Sequence, residues 1–213
     1  MKVDLQKIYD AIVEGDHQTA FDITKQALHD GVDPNVIVKE YLIPSMDEVG
    51  RRFECNEYYV PELLIAARAM KKTLHLINPI LAHHGGESKG RVVIGTVKGD
   101  VHDIGKNLVG AMLEGAGFEI IDLGIDVSPD AFLFAVREKK PAFVALSALL
   151  TTTMPSMKKI IETLEKQGLR ENVKILVGGA PVNQRYADEI GADGYGKSAS
   201  EAVTVARKLS NLL

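Results

Sequence analysis

Residues 99–106 read Gly-Asp-Val-His-Asp-Ile-Gly-Lys and follow a short apolar run, Val92 to Val97. A turn from strand to helix needs one glycine and one capping residue. This one adds two acids, a histidine and a lysine. Asp100 and His102 stand two apart, a spacing that in a loop lets the carboxylate accept a hydrogen bond from one imidazole nitrogen. The other nitrogen is then fixed as an outward-facing lone pair, the arrangement that orients a metal-binding histidine. One histidine is too few for a free metal ion, which takes three or four protein ligands. It suffices where a macrocycle brings the remaining ligands. The plainer reading of the same residues is Asp103 as a helix N-cap, Gly105 as punctuation and His102 as a surface side chain. Lys106 is open between a place in the first helical turn and neutralisation of an anionic or amide group.

Two further stretches end strands of the same kind. Ser-Ala-Leu-Leu-Thr-Thr-Thr-Met-Pro-Ser (147–156) sets Ser147, Thr151, Thr152 and Thr153 where a ligand would lie, and Gly-Gly-Ala-Pro (178–181) lets another molecule approach the backbone. Taken singly, each reads as an ordinary polar loop or tight turn.

The elements that must carry these residues change period along the chain. Residues 1–84 read as a helical bundle. Leu5, Ile8, Tyr9, Ile12 and Val13 recur at helical spacing, Asp16 caps a second helix, and Asp33-Pro34 starts a third that bends or breaks at Pro44. Pro61 opens a fourth, with Leu64, Ala67, Met70, Leu74, Ile77 and Leu81 on one face. Residues 85–90 form a glycine-rich linker and hinge, with His83 and His84 at its start. From 91 to 213 short apolar runs alternate with helices. Strands are expected at 91–97, 118–123, 142–148, 173–178 and 193–196, and helices from about 104 and at 129–139, 155–167, 182–190 and 199–211. Five such units predict a parallel sheet covered on both faces, with ligands beyond the carboxyl ends of the strands. The fold class is therefore α plus α/β, a helical cap domain followed by a Rossmann-like, flavodoxin-like five-stranded domain.

Composition narrows the function. The chain has 213 residues, 46% of them hydrophobic, with a formal net charge of −4 and one cysteine. That charge argues against nucleic acid or an anionic membrane as partner. The lone Cys55 excludes an internal disulfide framework and fits a reducing compartment. It reads as a half-buried small apolar residue, since no histidine and acid adjoin it. No signal peptide and no uncharged apolar run of about 18 residues is present. A cytoplasmic location is expected.

Asp100-Val101-His102-Asp103-Ile104-Gly105, Ser147-Ala148-Leu149 and Gly178-Gly179 together resemble the corrinoid-binding signature of the methionine-synthase-like cobalamin domains. Forty-one residues separate the first two elements and twenty-eight the second two, close to that family's intervals. The helical half resembles the family's cap domain, so the resemblance spans nearly the whole chain. A chain of this length looks like the stand-alone corrinoid proteins of methanogen and acetogen methyltransferase systems.

The resemblance implies a cobalamin or related corrinoid held base-off/His-on. His102 would be the lower cobalt ligand, held by Asp100, and the nucleotide tail would pass Ser147, Leu149, Thr151, Gly178 and Gly179. The family's relay often adds a serine six residues after the Ser-x-Leu serine. Here that position is Thr153, whose extra methyl bears on whether its hydroxyl reaches Asp100. An apolar cap would cover the upper face, and Glu57–Met70 is the matching region, with Tyr59, Val60 and Met70 nearest. The function implied is a methyl carrier cycling between Co(I) and methyl-Co(III), non-catalytic alone. Its partners would be a substrate-specific methyltransferase, a second methyltransferase using a folate or thiol acceptor, and an ATP-dependent reductive activator. Leu149–Lys158 looks most like the methylamine and quaternary-amine branches. The alternative is a cobalamin-dependent sensor without methyl transfer, disfavoured by the negative charge and by a helical half wholly occupied by the cap. A receiver-type domain would want an acid cluster that Asp100 and Asp103 imitate poorly.

Overall fold

The computed structural model describes residues 3–83 and 90–210. They form two compact units, residues 3–83 with 114–117, and residues 90–113 with 118–210. The expected linker at 85–90 lies, apart from Gly90, outside the described residues.

The helical unit contains α1 (Gln6–Glu14), α2 (His17–His29), α3 (Pro34–Val36), a π-helical stretch (Ile37–Leu42), α4 (Ile43–Glu54) and α5 (Val60–His83). Its starts are chemically marked. The Asp16 carboxylate accepts from the Gln18 and Thr19 amides at the head of α2, and the Asp33 carboxylate accepts from the Asn35 amide, with Pro34 at the first helical position. Pro44 does not break the third helix. The chain widens just before it, the Ile43 amide reaching back five residues to the Val38 carbonyl, and α4 then carries Pro44 in its first turn. A π turn absorbs the missing N–H and the ring's steric demand without a stop. The buried face of α5 runs through Leu63, Ala66, Met70, Leu74 and Ile77. Leu64, expected on that face, is 45% exposed, because the stripe drifts one residue around the helix at its first turn. The side chain of Leu81 lies outside the described residues. Cys55 is exposed rather than half-buried, since it is the C-cap of α4, where the chain leaves the helix.

The second unit alternates β1 (Arg91–Thr96), α6 (Ile104–Gly115), β2 (Glu119–Asp122), α7 (Pro129–Lys139), β3 (Phe143–Ser147), α8 (Pro155–Lys166), β4 (Lys174–Gly178), α9 (Gln184–Glu189), β5 (Gly194–Gly196) and α10 (Ala199–Ser210). The sheet is wholly parallel in the order β2-β1-β3-β4-β5, the doubly wound arrangement expected. Strands β1 and β3 are near-continuous apolar runs because both faces are covered. Val93, Val144, Leu146, Ile175 and Val177 meet Phe132, Met157 and Ile160 in one core. Register brings Thr96, Ser147 and Gly178 side by side at the carboxyl edge. No described helix is long and apolar enough to cross a membrane.

Candidate functional site

Strand order reverses between β1 and β3, and in sheets of this kind ligands bind beyond the carboxyl ends of the strands at that position. Asp100 ties the loops together. It is fully buried, and its two oxygens divide the work. Oδ1 accepts from the His102 ring at Nδ1 (2.7 Å) and from the His102 amide (3.1 Å). Oδ2 accepts from the Leu149 amide (2.8 Å), the Leu150 amide (3.3 Å) and the Thr153 hydroxyl (2.7 Å). Burial alone would raise this carboxyl's pKa. The donors, led by the Leu149 amide and the Thr153 hydroxyl, outweigh it and hold the group well below the usual aspartate range.

Asp100 therefore remains a carboxylate, and it fixes the imidazole. With Nδ1–H donated to Oδ1, Nε2 carries the lone pair, and it has no hydrogen-bond partner among the described residues. The His102 side chain is 47% exposed. Its backbone is held too, by the Thr96 hydroxyl donating to its carbonyl (2.8 Å). A single, oriented nitrogen facing outward is what a metal that brings its own other ligands requires. No group of three or more metal-ligating side chains exists among the described residues.

The Thr153 methyl does not prevent its hydroxyl from reaching Asp100. The hydroxyl donates there while lying 2.9 Å from the Leu150 carbonyl. Thr153→Ser is expected to retain this bond, and Thr153→Val to lose it at a cost of about 1 kcal/mol, read from paired denaturant titrations.

The remaining expected residues separate into four groups. Val101 (64% exposed) and Leu149 (42%) on the two loops and Ile104 (75%) at the start of α6 are exposed apolar residues, and Asp103 stands at the N-cap of α6 with its carboxylate taken by the Asn107 side chain. Ser147 ends β3 and Thr151 follows in the next turn, and neither side chain makes a hydrogen bond among the described residues. Gly105 is open, since a Cβ there would meet nothing within 4 Å, whereas at Gly178 it would come 3.1 Å from the Gly196 carbonyl oxygen. Gly179 has φ +123°, and a Cβ there would sit 1.9 Å from the Ala148 carbonyl oxygen. Its glycine is required by the protein's own backbone. In the helical unit Tyr59 and Val60 are exposed, at 64% and 36%, and Met70 is fully buried as bundle core.

Two features carry no clear signal in the sequence. Ile125 and Leu150, 44% and 42% exposed, extend the apolar edge to the loop after β2 and along the loop after β3. Lys106 is buried, and its ammonium donates to Asp122 at the end of β2 and to the Asn107 side chain. It braces α6 against the sheet.

Five exposed apolar residues on the carboxyl-edge segments and one oriented imidazole suit an apolar-rimmed ligand that carries a metal. Comparison with known proteins agrees. The B12 binding domain family matches residues 90–204, and a second B12 binding domain family matches residues 4–78. The chain belongs to the B12-binding family. A trimethylamine corrinoid protein of Methanosarcina acetivorans is 43% identical over 205 residues, 95% of each chain. A B12-binding neighbour, a cobalamin-binding protein from Desulfitobacterium hafniense, superposes with TM-score 0.78 at 29% identity, covering 97% of this chain and 98% of that one. The methanol:cobalamin methyltransferase complex MtaBC of Methanosarcina barkeri superposes with TM-score 0.85 at 31% identity, covering 97% of this chain and 79% of that one. The Asp100–His102 pair lies within the B12-binding match, as do Ser147, Leu149, Gly178 and Gly179.

Proposed function

We propose that this B12-binding chain is a methyl carrier. It holds a cobalamin or related corrinoid base-off/His-on and passes methyl groups from a substrate-specific methyltransferase to a second one acting on a folate or thiol. The observation that carries the reading is the outward Nε2 of His102, fixed by a buried carboxylate that four other donors keep ionised. The named relatives support the methyl-transfer context: one is a trimethylamine corrinoid protein and another comes from a methanol methyltransferase complex.

The corrinoid, when bound, supplies a cobalt centre able to accept a methyl group from one partner and yield it to another. The protein's residues do the rest. His102 would ligate cobalt through Nε2, with Asp100 and Thr153 holding the ring. Residues 100–105 would line the corrin's lower side, and Ser147, Leu149, Thr151, Gly178 and Gly179 would receive the nucleotide tail. Tyr59 and Val60 would shield the upper face, backed by Met70. A proton on Nε2 competes with ligation, so ligand release and proton uptake are coupled at this pair. An ATP-dependent reductive activator is the third partner proposed, in the cytoplasm.

The test is anaerobic. The chain reconstituted with reduced cobalamin is mixed with methyltransferases specific for methylated amines, quaternary amines, methanol and methoxyaromatics, each with its donor, and cobalt methylation is followed by absorbance. Methylation by one of these systems is expected. Bound corrinoid that none of them methylates would contradict the carrier role and point to sensing.

A further inference from the structure

The signature loop has a second anchor that lies outside the family's motif. Asp126, in the loop between β2 and α7, faces the turn that presents Asp100. Its Oδ1 accepts the Gly99 amide (2.8 Å), and its Oδ2 accepts the Lys98 ammonium (2.9 Å). Its own amide donates to the Asp100 carbonyl (2.9 Å). Three bonds from one residue thus grip three successive residues of the turn. The contact is not incidental strand pairing. Beyond β1 and β2 the chains continue side by side, the Thr96 amide bonding the Gly124 carbonyl, the Val127 amide bonding the Thr96 carbonyl, and Val97 bridging Val127. Asp126 bulges out of this pairing with φ +53°, a left-handed conformation uncommon for a residue with a side chain. Gly99 opposite it is also left-handed, at φ +87°. The bulge aims the Asp126 carboxylate back at the turn. The Gly99 amide and the Lys98 ammonium hold its pKa below the ordinary aspartate value.

We infer that Asp126 is a positioning residue for His102: by fixing Lys98–Asp100 it sets the Asp100 carboxylate, which in turn fixes the imidazole tautomer and the direction of Nε2. Among the described residues Asp126 makes its hydrogen bonds to Lys98, Gly99 and Asp100 and none to the imidazole. It acts through the backbone at Gly99 and Asp100. The inference deepens the proposed cofactor role and rests on that reading for its functional consequence. Its structural content stands on the apo chain alone.

The experiment is ¹⁵N NMR of the histidine-labelled chain without corrinoid, at mildly alkaline pH, with His102 assigned from His102→Ala. Wild type is expected to show one tautomer, a protonated Nδ1 well separated in shift from a bare Nε2. Asp126→Ala should draw the two shifts toward their tautomer average. Asp126→Asn keeps an acceptor for the Gly99 amide and should restore most of the separation. Lys98→Met removes only the ion pair and should follow wild type. Corrinoid affinity, measured in parallel by titration, should fall about tenfold in Asp126→Ala and recover in Asp126→Asn. Wild-type His102 shifts in a folded Asp126→Ala would overturn the inference, as would an Asp126→Asn no better than alanine. A wild-type chain that takes up no corrinoid would instead sink the cofactor reading, while the NMR comparison still decides the positioning claim.

Discussion

Asp100→Ala is expected to damage fold and function together. The substitution leaves the part-buried Leu149, Leu150 and His102 amides and the buried Thr153 hydroxyl without their carboxylate acceptor, and frees the His102 ring. A buried donor left unpaired costs about 1–3 kcal/mol. Because the Leu150 bond is long and the Thr153 hydroxyl retains the Leu150 carbonyl, the sum should be about 3 kcal/mol. That corresponds to roughly 6–12 °C in the melting temperature of a chain this size. Corrinoid affinity should fall about 10- to 100-fold, the usual effect of removing the group that orients a metal ligand. The pH dependence has a fixed sign. Asp100 has a lowered pKa in the fold, so its contribution is fully present above the ordinary aspartate value of 3.8 and is lost as pH falls below that value. The alanine variant should therefore lose less stability than wild type on acidification. Calorimetry across that range and corrinoid titration check both halves. A variant as stable as wild type would show that the two loops are held by something other than this carboxylate.

The largest effect on stability alone is expected at Gly179. An alanine Cβ there would lie 1.9 Å from the Ala148 carbonyl oxygen, and the residue's φ of +123° is closed to side chains. Backbone must move on both sides, and a loss of about 4 kcal/mol or more is expected, at the far end of single-substitution effects. Gly105→Ala supplies the contrast. Gly105 lies within α6, with no left-handed φ and nothing within 4 Å of where an alanine Cβ would sit. Alanine there should stabilise the apo chain by up to about 1 kcal/mol through helix propensity, yet weaken corrinoid uptake by occupying the open space. Urea titrations of the two variants, with corrinoid binding for the second, separate a glycine kept for the fold from one kept for a ligand.

These cases show what local pattern reveals and what it hides. The Asp100–His102 bond was legible because both partners sit on one short loop. The edge shared by Thr96, Ser147 and Gly178 was legible because apolar runs of strand length end at each motif. The other half of the Asp100 shell was not: Leu149 and Thr153 arrive from about fifty residues away. Only the β1–β3 adjacency decides that their donors reach the same oxygen. Gly179 was recognised by its motif, but its collision with the Ala148 carbonyl is a property of packed backbone. In the helical half, periodicity located α5 but misplaced Leu64, since a residue at the edge of a stripe is buried or exposed according to how its neighbours pack. Pro44 signals a disrupted hydrogen bond, and sequence alone does not say whether the chain answers with a break or a π turn. Asp126 offers no local signal at all, because its role depends on a left-handed bulge that brings it against Gly99.

The central claim is that His102 Nε2 meets cobalt. It is tested by the EPR spectrum of the Co(II) form, reconstituted with a cobalamin whose lower-base nitrogen is isotopically labelled, in wild type and in His102→Ala. The account predicts superhyperfine splitting from an unlabelled nitrogen in wild type and its loss in the variant. Splitting from the labelled base in the wild-type protein would contradict it.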